Sequence, residues 1–153
     1  PRGRARRPMN DYADTGFICS VYAPDTNTDR ALDLMEKQRE PICFSWLNQV
    51  EFRNALRLRV FRKEISKAER DHSLNLLLAD LSAGIFHHIE IPQSSVLVET
   101  ERLSAQQSEK LGTRSLDILH VAMALSLGCR RFLGFDQRQV KLAKAVGLSV
   151  PNL

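Results

Sequence analysis

The sequence contains no hydrophobic run approaching the roughly 18 residues that a membrane span needs, and no secretory apolar region near its start. That excludes a membrane-spanning reading. Cysteine is scarce: Cys19, Cys43 and Cys129 are odd in number and form no CxxC pair. This argues against a disulfide framework and a cysteine zinc site, and for free thiols in a reducing cytoplasm. There is no internal repeat, and no low-complexity tract after residue 8. A genuine excess of one charge is also missing. The formal charge of +4 and the pI near 9.2 invite a nucleic-acid reading. However, residues 1–8, PRGRARRP, hold four arginines and no acid, and without them 18 of the 22 basic residues face 18 acidic ones. We read this stretch as an expression remnant ahead of a native start at Met9, rather than a basic arm, and set it aside. What remains, residues 9–153, has an ordinary composition and the length of one domain with a real core.

The pattern alternates strands and helices. A first strand falls within Asn10–Phe17 and is broken by Asp14-Thr15-Gly16, and a helical segment follows to Tyr22. A second helix carries Ala31, Leu32, Leu34 and Met35 inward and stops at Pro41. Ile42–Ser45 is a short apolar strand, as expected in a sheet covered on both faces. A long helix from Trp46 to about Lys63 follows, then a helix opened by the capping pattern Ser66-Lys67-Ala68-Glu69 and closed by Gly84. Ile85–Ile91 is a third strand. A helix capped by Ser94 or Ser95 runs to about Lys110, and another runs from Leu116 to Leu127. Arg131–Phe135 is a fourth strand, Asp136 opens the last helix, and Leu148–Val150 is a short fifth strand. The expected fold is α/β: a three-layer α/β/α sandwich around a mainly parallel sheet of about five strands.

Four acids stand out within this pattern. Asp14, Asp117 and Asp136 sit where a strand or loop hands over to a helix, and Glu51 lies on a helix beside the apolar stripe of Leu47, Val50 and Ala55. Each has an ordinary explanation: turn residue, helix cap, dipole partner or boundary acid. Together they carry more. Handovers in a parallel sheet lie on one edge, and converging carboxylates raise one another's pKa unless a cation sits among them. Oxygen ligands select hard ions such as Mg²⁺ or Mn²⁺, which polarise phosphates and activate water. A single Asp-Thr-Gly does not make an aspartic protease, which is all-β and needs two such turns. Asp11 and Asp14 are also too far apart for a DxD phosphatase turn.

The runs YADTGF, SWLNQVEFRNALRLRVFR, TRSLDILHVAMAL and FLGFDQRQVKLAKAVGLSV resemble the PIN domain, in particular the VapC-type ribonuclease toxins, over essentially all of residues 10–151. The resemblance implies a PIN-like sandwich with Asp14 and Asp136 on neighbouring central strands. It implies a Mg²⁺- or Mn²⁺-dependent endoribonuclease with Asp14, Glu51, Asp117 and Asp136 as its acidic cluster, the three aspartates holding the metal. It further implies an RNA substrate, a cognate antitoxin and a possible homodimer. Many members carry Ser where this chain has Gly16. Thr15 is the residue placed to take over that support.

Residues 51–70 carry seven basic side chains against three acidic ones. Arg53 and Arg57, four apart, are candidates to grip an RNA backbone, and a plain solvated helix face is the competing reading. Asn54 lies three residues after Glu51 and is a candidate support for the site, as is Arg114 ahead of Asp117. His120 is read as a packed histidine in preference to a site residue. The competing functional classes are a catalytically weak PIN-shaped module that binds RNA or protein, favoured by Gly16, and a generic metal-dependent phosphatase.

Overall fold

A computed structural model describes residues 9–152; the expected leader over residues 1–8 lies outside the described residues. Four strands form one parallel sheet: β1 (Asp11–Ala13), β2 (Ile42–Phe44), β3 (Phe86–His88) and β4 (Arg131–Leu133), in the order β3-β2-β1-β4. Each strand is only three residues long, and its side chains alternate between faces. Tyr12, Cys43 and Phe132 enter one buried cluster. Ala13, Ile42, Phe44 and Leu133 enter the other. This two-sided burial is why β2 reads as an apolar run without polar alternation, whereas β3, Phe-His-His, buries only Phe86.

Helices α1 (Thr15–Tyr22), α2 (Thr28–Lys37), α3 (Trp46–Phe61) and α4 (Lys67–Ala83) cover the second cluster through Phe17, Ile18, Ala31, Phe52, Leu56 and Leu77. Helices α5 (Gln93–Leu103), α7 (Ser115–Ser126) and α8 (Gln137–Ala145) cover the first through Val96, Ile118, Val121, Met123 and Leu142. The result is the expected α/β/α sandwich. None of the described helices is long and apolar enough to cross a membrane. The three cysteines are free, and the sulfurs of Cys43 and Cys129 lie 3.5 Å apart within the core.

Two elements differ from the sequence reading. The fifth strand over residues 148–150 is reduced to one parallel bridge between Arg131 and Ser149. Pro151 follows with no N–H to extend the ladder. The helix expected to run unbroken to about Lys110 instead starts after Pro92, passes through a π-helical segment at Ser104–Ser108, and ends in α6 (Glu109–Leu111). Gly112 then turns the chain at φ +64°, a conformation that side chains with a Cβ rarely adopt.

Candidate active site

β1 and β4 are neighbours, so their carboxyl ends lie side by side. The Asp14 N–H donates to the Leu133 carbonyl at 2.9 Å and extends the pairing past the last residue of β1. The chain then turns into α1, and the Asp14 carboxylate caps that helix by accepting the Phe17 N–H at 2.6 Å on Oδ1. The other oxygen, Oδ2, lies against the exit of β4 at Gly134. A Cβ on Gly134 would stand 2.7 Å from Oδ2 and 3.1 Å from both Cγ of Asp14 and Cε1 of Phe132. Glycine is therefore the residue that lets the two strand ends close around this carboxylate. Gly16 is less constrained, because a Cβ there would meet Asp14 Oδ1 at 3.4 Å, an ordinary contact.

Asp14 is only 4% exposed. Burial pushes its carboxyl up to about 6; the charges of Asp136 and Glu51 push in the same direction, against the Phe17 N–H and His120. Two other acids of the set are thus close enough to be felt electrostatically at Asp14.

Glu51 reaches this edge from the second turn of α3. Its Oε1 accepts the Thr15 hydroxyl at 2.8 Å and meets His120 Nε2 at 2.5 Å. Burial alone would raise its pKa, yet the hydrogen bond and charge of His120 and the Thr15 hydroxyl carry it below the ordinary carboxylate value. Glu51 is accordingly held ionised. The Asn48 amide supports the same point, donating to Thr15 Oγ1 and to the Ala13 carbonyl at 3.2 Å each.

Asp117 stands in the first turn of α7, where a carboxylate suits the helix dipole. Its Oδ2 accepts the backbone N–H of Arg114 at 3.1 Å. Asp136 caps α8 by accepting the N–H groups of Arg138 and Gln139 at 2.9 and 3.2 Å. Arg114 spans the two acids: its Nε lies 3.4 Å from Asp117 Oδ2 and its Nη2 3.8 Å from Asp136 Oδ2. The Arg114 side chain is 65% exposed, so the guanidinium is a cation on the rim and free to swing outward.

The other candidates fall elsewhere. Asn54 is exposed on α3, and the amide that contacts Thr15 belongs to Asn48, six residues earlier. Arg53 is half-buried against α4, near Leu74, Leu77 and Leu78, about 200° around the helix from Glu51. Arg57 is exposed. The sequence does not single out Asn48 or Gly134, and it offers His120 as a site residue only behind the packed reading. A signal existed for His120, since it follows Asp117 by three and so shares a helix face with it.

The donors present are carboxylates, which fit a hard divalent cation, and the Asp14 carboxyl is raised chiefly by burial, with Asp136 and Glu51 adding to it. Among the described residues, no three acidic, histidine or cysteine side chains stand close enough together to hold an ion as they are placed. Arg114 supplies positive charge between two of the acids instead. The fit is therefore one of chemistry, with the guanidinium standing in for part of a cation's charge.

Residues 12–145 match the PIN domain family. The chain belongs to the PIN domain family. Members of this family are nucleases and generally use divalent metal ions. Solved structures share the fold. Mycobacterium tuberculosis VapC20, described as a sarcin–ricin loop cleaving toxin, superposes with a TM-score of 0.68 at 15% identity, over 92% of this chain and 97% of that one. VapBC2 from Rickettsia felis, bound to a promoter DNA fragment, gives 0.63 at 15% identity over 94% and 98%. FitAcB from Neisseria gonorrhoeae gives 0.62 at 16% identity over 93% and 96%. No curated protein matches the chain in sequence. At these identities the PIN fold is what is shared; the acids' roles rest on their own geometry.

Proposed function

We propose that this PIN domain is a metal-dependent endoribonuclease that hydrolyses RNA phosphodiester bonds and acts as the toxin of a toxin–antitoxin pair. The observation that carries this reading is the Asp14 carboxylate buried at the sheet edge against Gly134, its carboxyl pushed up to about 6 by burial first and by Asp136 and Glu51 in addition. Asp14, Asp117 and Asp136 are the groups that would hold Mg²⁺ or Mn²⁺. When bound, such an ion neutralises phosphate charge and makes a water more acidic. Glu51, held ionised, orients the attacking water, and Thr15 fixes the Glu51 carboxylate. The backbone caps on Asp14 and Asp136 hold those carboxylates in place before substrate arrives. On this reading residues 9–153 are one domain working in the cytoplasm, with an antitoxin partner and a possible homodimer. Structured RNA is the substrate to try first, because the fold neighbour VapC20 is described as a sarcin–ricin loop cleaving toxin.

The direct test is RNA cleavage in Mn²⁺, with EDTA and with Asp117→Asn. Loss of product in both supports the proposal. Cleavage that survives both would sink it. Arg114 gives a second test. It shares two acids with the proposed ion, so Arg114→Gln is expected to tighten Mn²⁺ binding about threefold in titration calorimetry while raising the KM for RNA. Unchanged Mn²⁺ affinity would mean that Arg114 does not compete with the ion.

One observation favours a different class: Arg114 lies beside both Asp117 and Asp136 and offsets part of their charge. A PIN-shaped module that binds RNA or protein without chemistry would show binding in EDTA and no product at any Mn²⁺ concentration.

A further inference from the structure

Six side chains at the site form a closed ring of hydrogen bonds. Ser45 Oγ donates to Asn48 Oδ1 at 2.8 Å, Asn48 Nδ2 donates to Thr15 Oγ1 at 3.2 Å, and Thr15 Oγ1 donates to Glu51 Oε1 at 2.8 Å. Glu51 Oε1 meets His120 Nε2 at 2.5 Å, His120 Nδ1 meets the Tyr12 hydroxyl at 2.8 Å, and that hydroxyl returns to Ser45 Oγ at 3.3 Å. Five of the six are buried, and Glu51 is the member that opens toward solvent.

One direction is fixed by chemistry: the Glu51 carboxylate can only accept, so His120 Nε2 carries the hydrogen and donates to Oε1. His120 Nδ1 pairs with the Tyr12 hydroxyl, which also reaches Ser45 Oγ and, at 3.5 Å, the Met123 sulfur. Both donors that reach Glu51 land on Oε1. Among the described residues, no hydrogen bond reaches Oε2.

We propose that His120 is a positioning residue whose Nε2–H, together with Thr15, occupies Oε1 of Glu51 and leaves Oε2 as the single oxygen presented to the reaction. The inference rests on the nuclease reading for its kinetic consequence, but the ring itself does not. Partners of this kind, which orient an active-site group, typically contribute 10- to 100-fold. Residues that are locked by packing hold such geometry best, and Tyr12 and His120 are wholly enclosed between the sheet and α7.

Three variants test it. Glutamine places an amide N–H near the position of Nε2, and asparagine places one near Nδ1. His120→Asn is expected to lower kcat by about 30-fold with KM and Mn²⁺ affinity unchanged, and His120→Gln is expected to stay within about threefold of wild type. Tyr12→Phe keeps the packing and removes the Nδ1 partner; a loss in kcat of about threefold to tenfold is expected. If asparagine and glutamine are equally harmless, or lower activity only in step with thermal stability, the positioning role is overturned. Should the histidine variants not fold, Tyr12→Phe with wild-type kcat overturns it by itself. A side-chain ¹⁵N–¹H NMR signal from His120 Nε2–H, slow to exchange and lost in Glu51→Ala, reads the ring without any cleavage. Its presence in a protein that cuts no RNA would refute the nuclease and keep the ring. Its absence in a protein that does cut RNA would refute the ring.

Discussion

Asp14→Asn is expected to lose RNA cleavage by roughly a thousandfold, as removal of a charge that holds a catalytic cation should, and yet to be more stable than wild type when metal is absent. The second half follows from burial. Asparagine keeps an oxygen to accept the Phe17 N–H, so the cap on α1 survives. It also removes a charge that the fold dislikes. Asp14 has a folded pKa of about 6 against an ordinary value of 3.8, so the folded state holds its proton more tightly than the unfolded chain. The stability this contributes is complete below pH 3.8 and is lost as pH rises through about 6. At pH 7.5 the wild-type protein has forfeited up to about 3 kcal/mol that Asp14→Asn never had at stake. Metal-free denaturation at pH 7.5 should therefore favour the variant, and the gap should close toward pH 4. Added Mn²⁺ should narrow it from the other side, by stabilising wild type alone. A variant less stable than wild type at pH 7.5 without metal would show that Asp14 serves the fold as an ordinary cap.

The other large effect is expected at a residue with no chemistry of its own. Gly134→Ala places a Cβ at 2.7 Å from Asp14 Oδ2, inside any allowed contact, with Phe132 at 3.1 Å closing the alternative direction. The carboxylate is the group that must yield, because the strand ends are tied by the Asp14 N–H to Leu133 bond. Displacing a reacting group by about 1 Å costs on the order of a hundredfold, so cleavage should fall by that much, with stability lowered by about 1–3 kcal/mol. Gly16→Ser is the matched control, since its Cβ would meet Asp14 Oδ1 at an ordinary 3.4 Å. Retained activity in Gly134→Ala, measured beside an intact circular-dichroism spectrum, would contradict the tight seating of Asp14.

The positions of the acids were legible because each does two jobs. Asp14 and Asp136 cap helices that follow strands, and Asp117 sits in the first turn of a helix entered from a loop, so local hydrogen-bonding rules already place them at helix starts. Parallel topology then puts the handovers at Asp14 and Asp136 on one edge. The sandwich was legible for a similar reason: short strands alternating with helices along the chain leave few other arrangements. What could not be read was rotation and distance. Asn54 lies three residues after Glu51 and looks well placed on a helical wheel, yet the contact to Thr15 is made by Asn48, three before Glu51, because α3 enters from Ser45 and turns that side toward β1. His120 looks like one polar residue inside LDILHVAMAL; it is indeed buried, and only the structure shows that Tyr12 and Glu51 lie on either side of its ring. Gly134 carries no sequence signal, since its φ is unremarkable and its reason is a carboxylate that is 120 residues earlier in the chain. The missing fifth strand is a matter of one hydrogen: Pro151 cannot donate, and pairing stops at Ser149.

The account depends on a divalent ion taking the place that Arg114 now fills between Asp117 and Asp136. Crystals soaked in Mn²⁺, with diffraction collected at the manganese absorption edge, test this most directly. The predicted result is an anomalous peak at coordination distance from Asp14, Asp117 and Asp136, with the Arg114 guanidinium turned away. A featureless map at high Mn²⁺, with Arg114 still spanning the two acids, would contradict it.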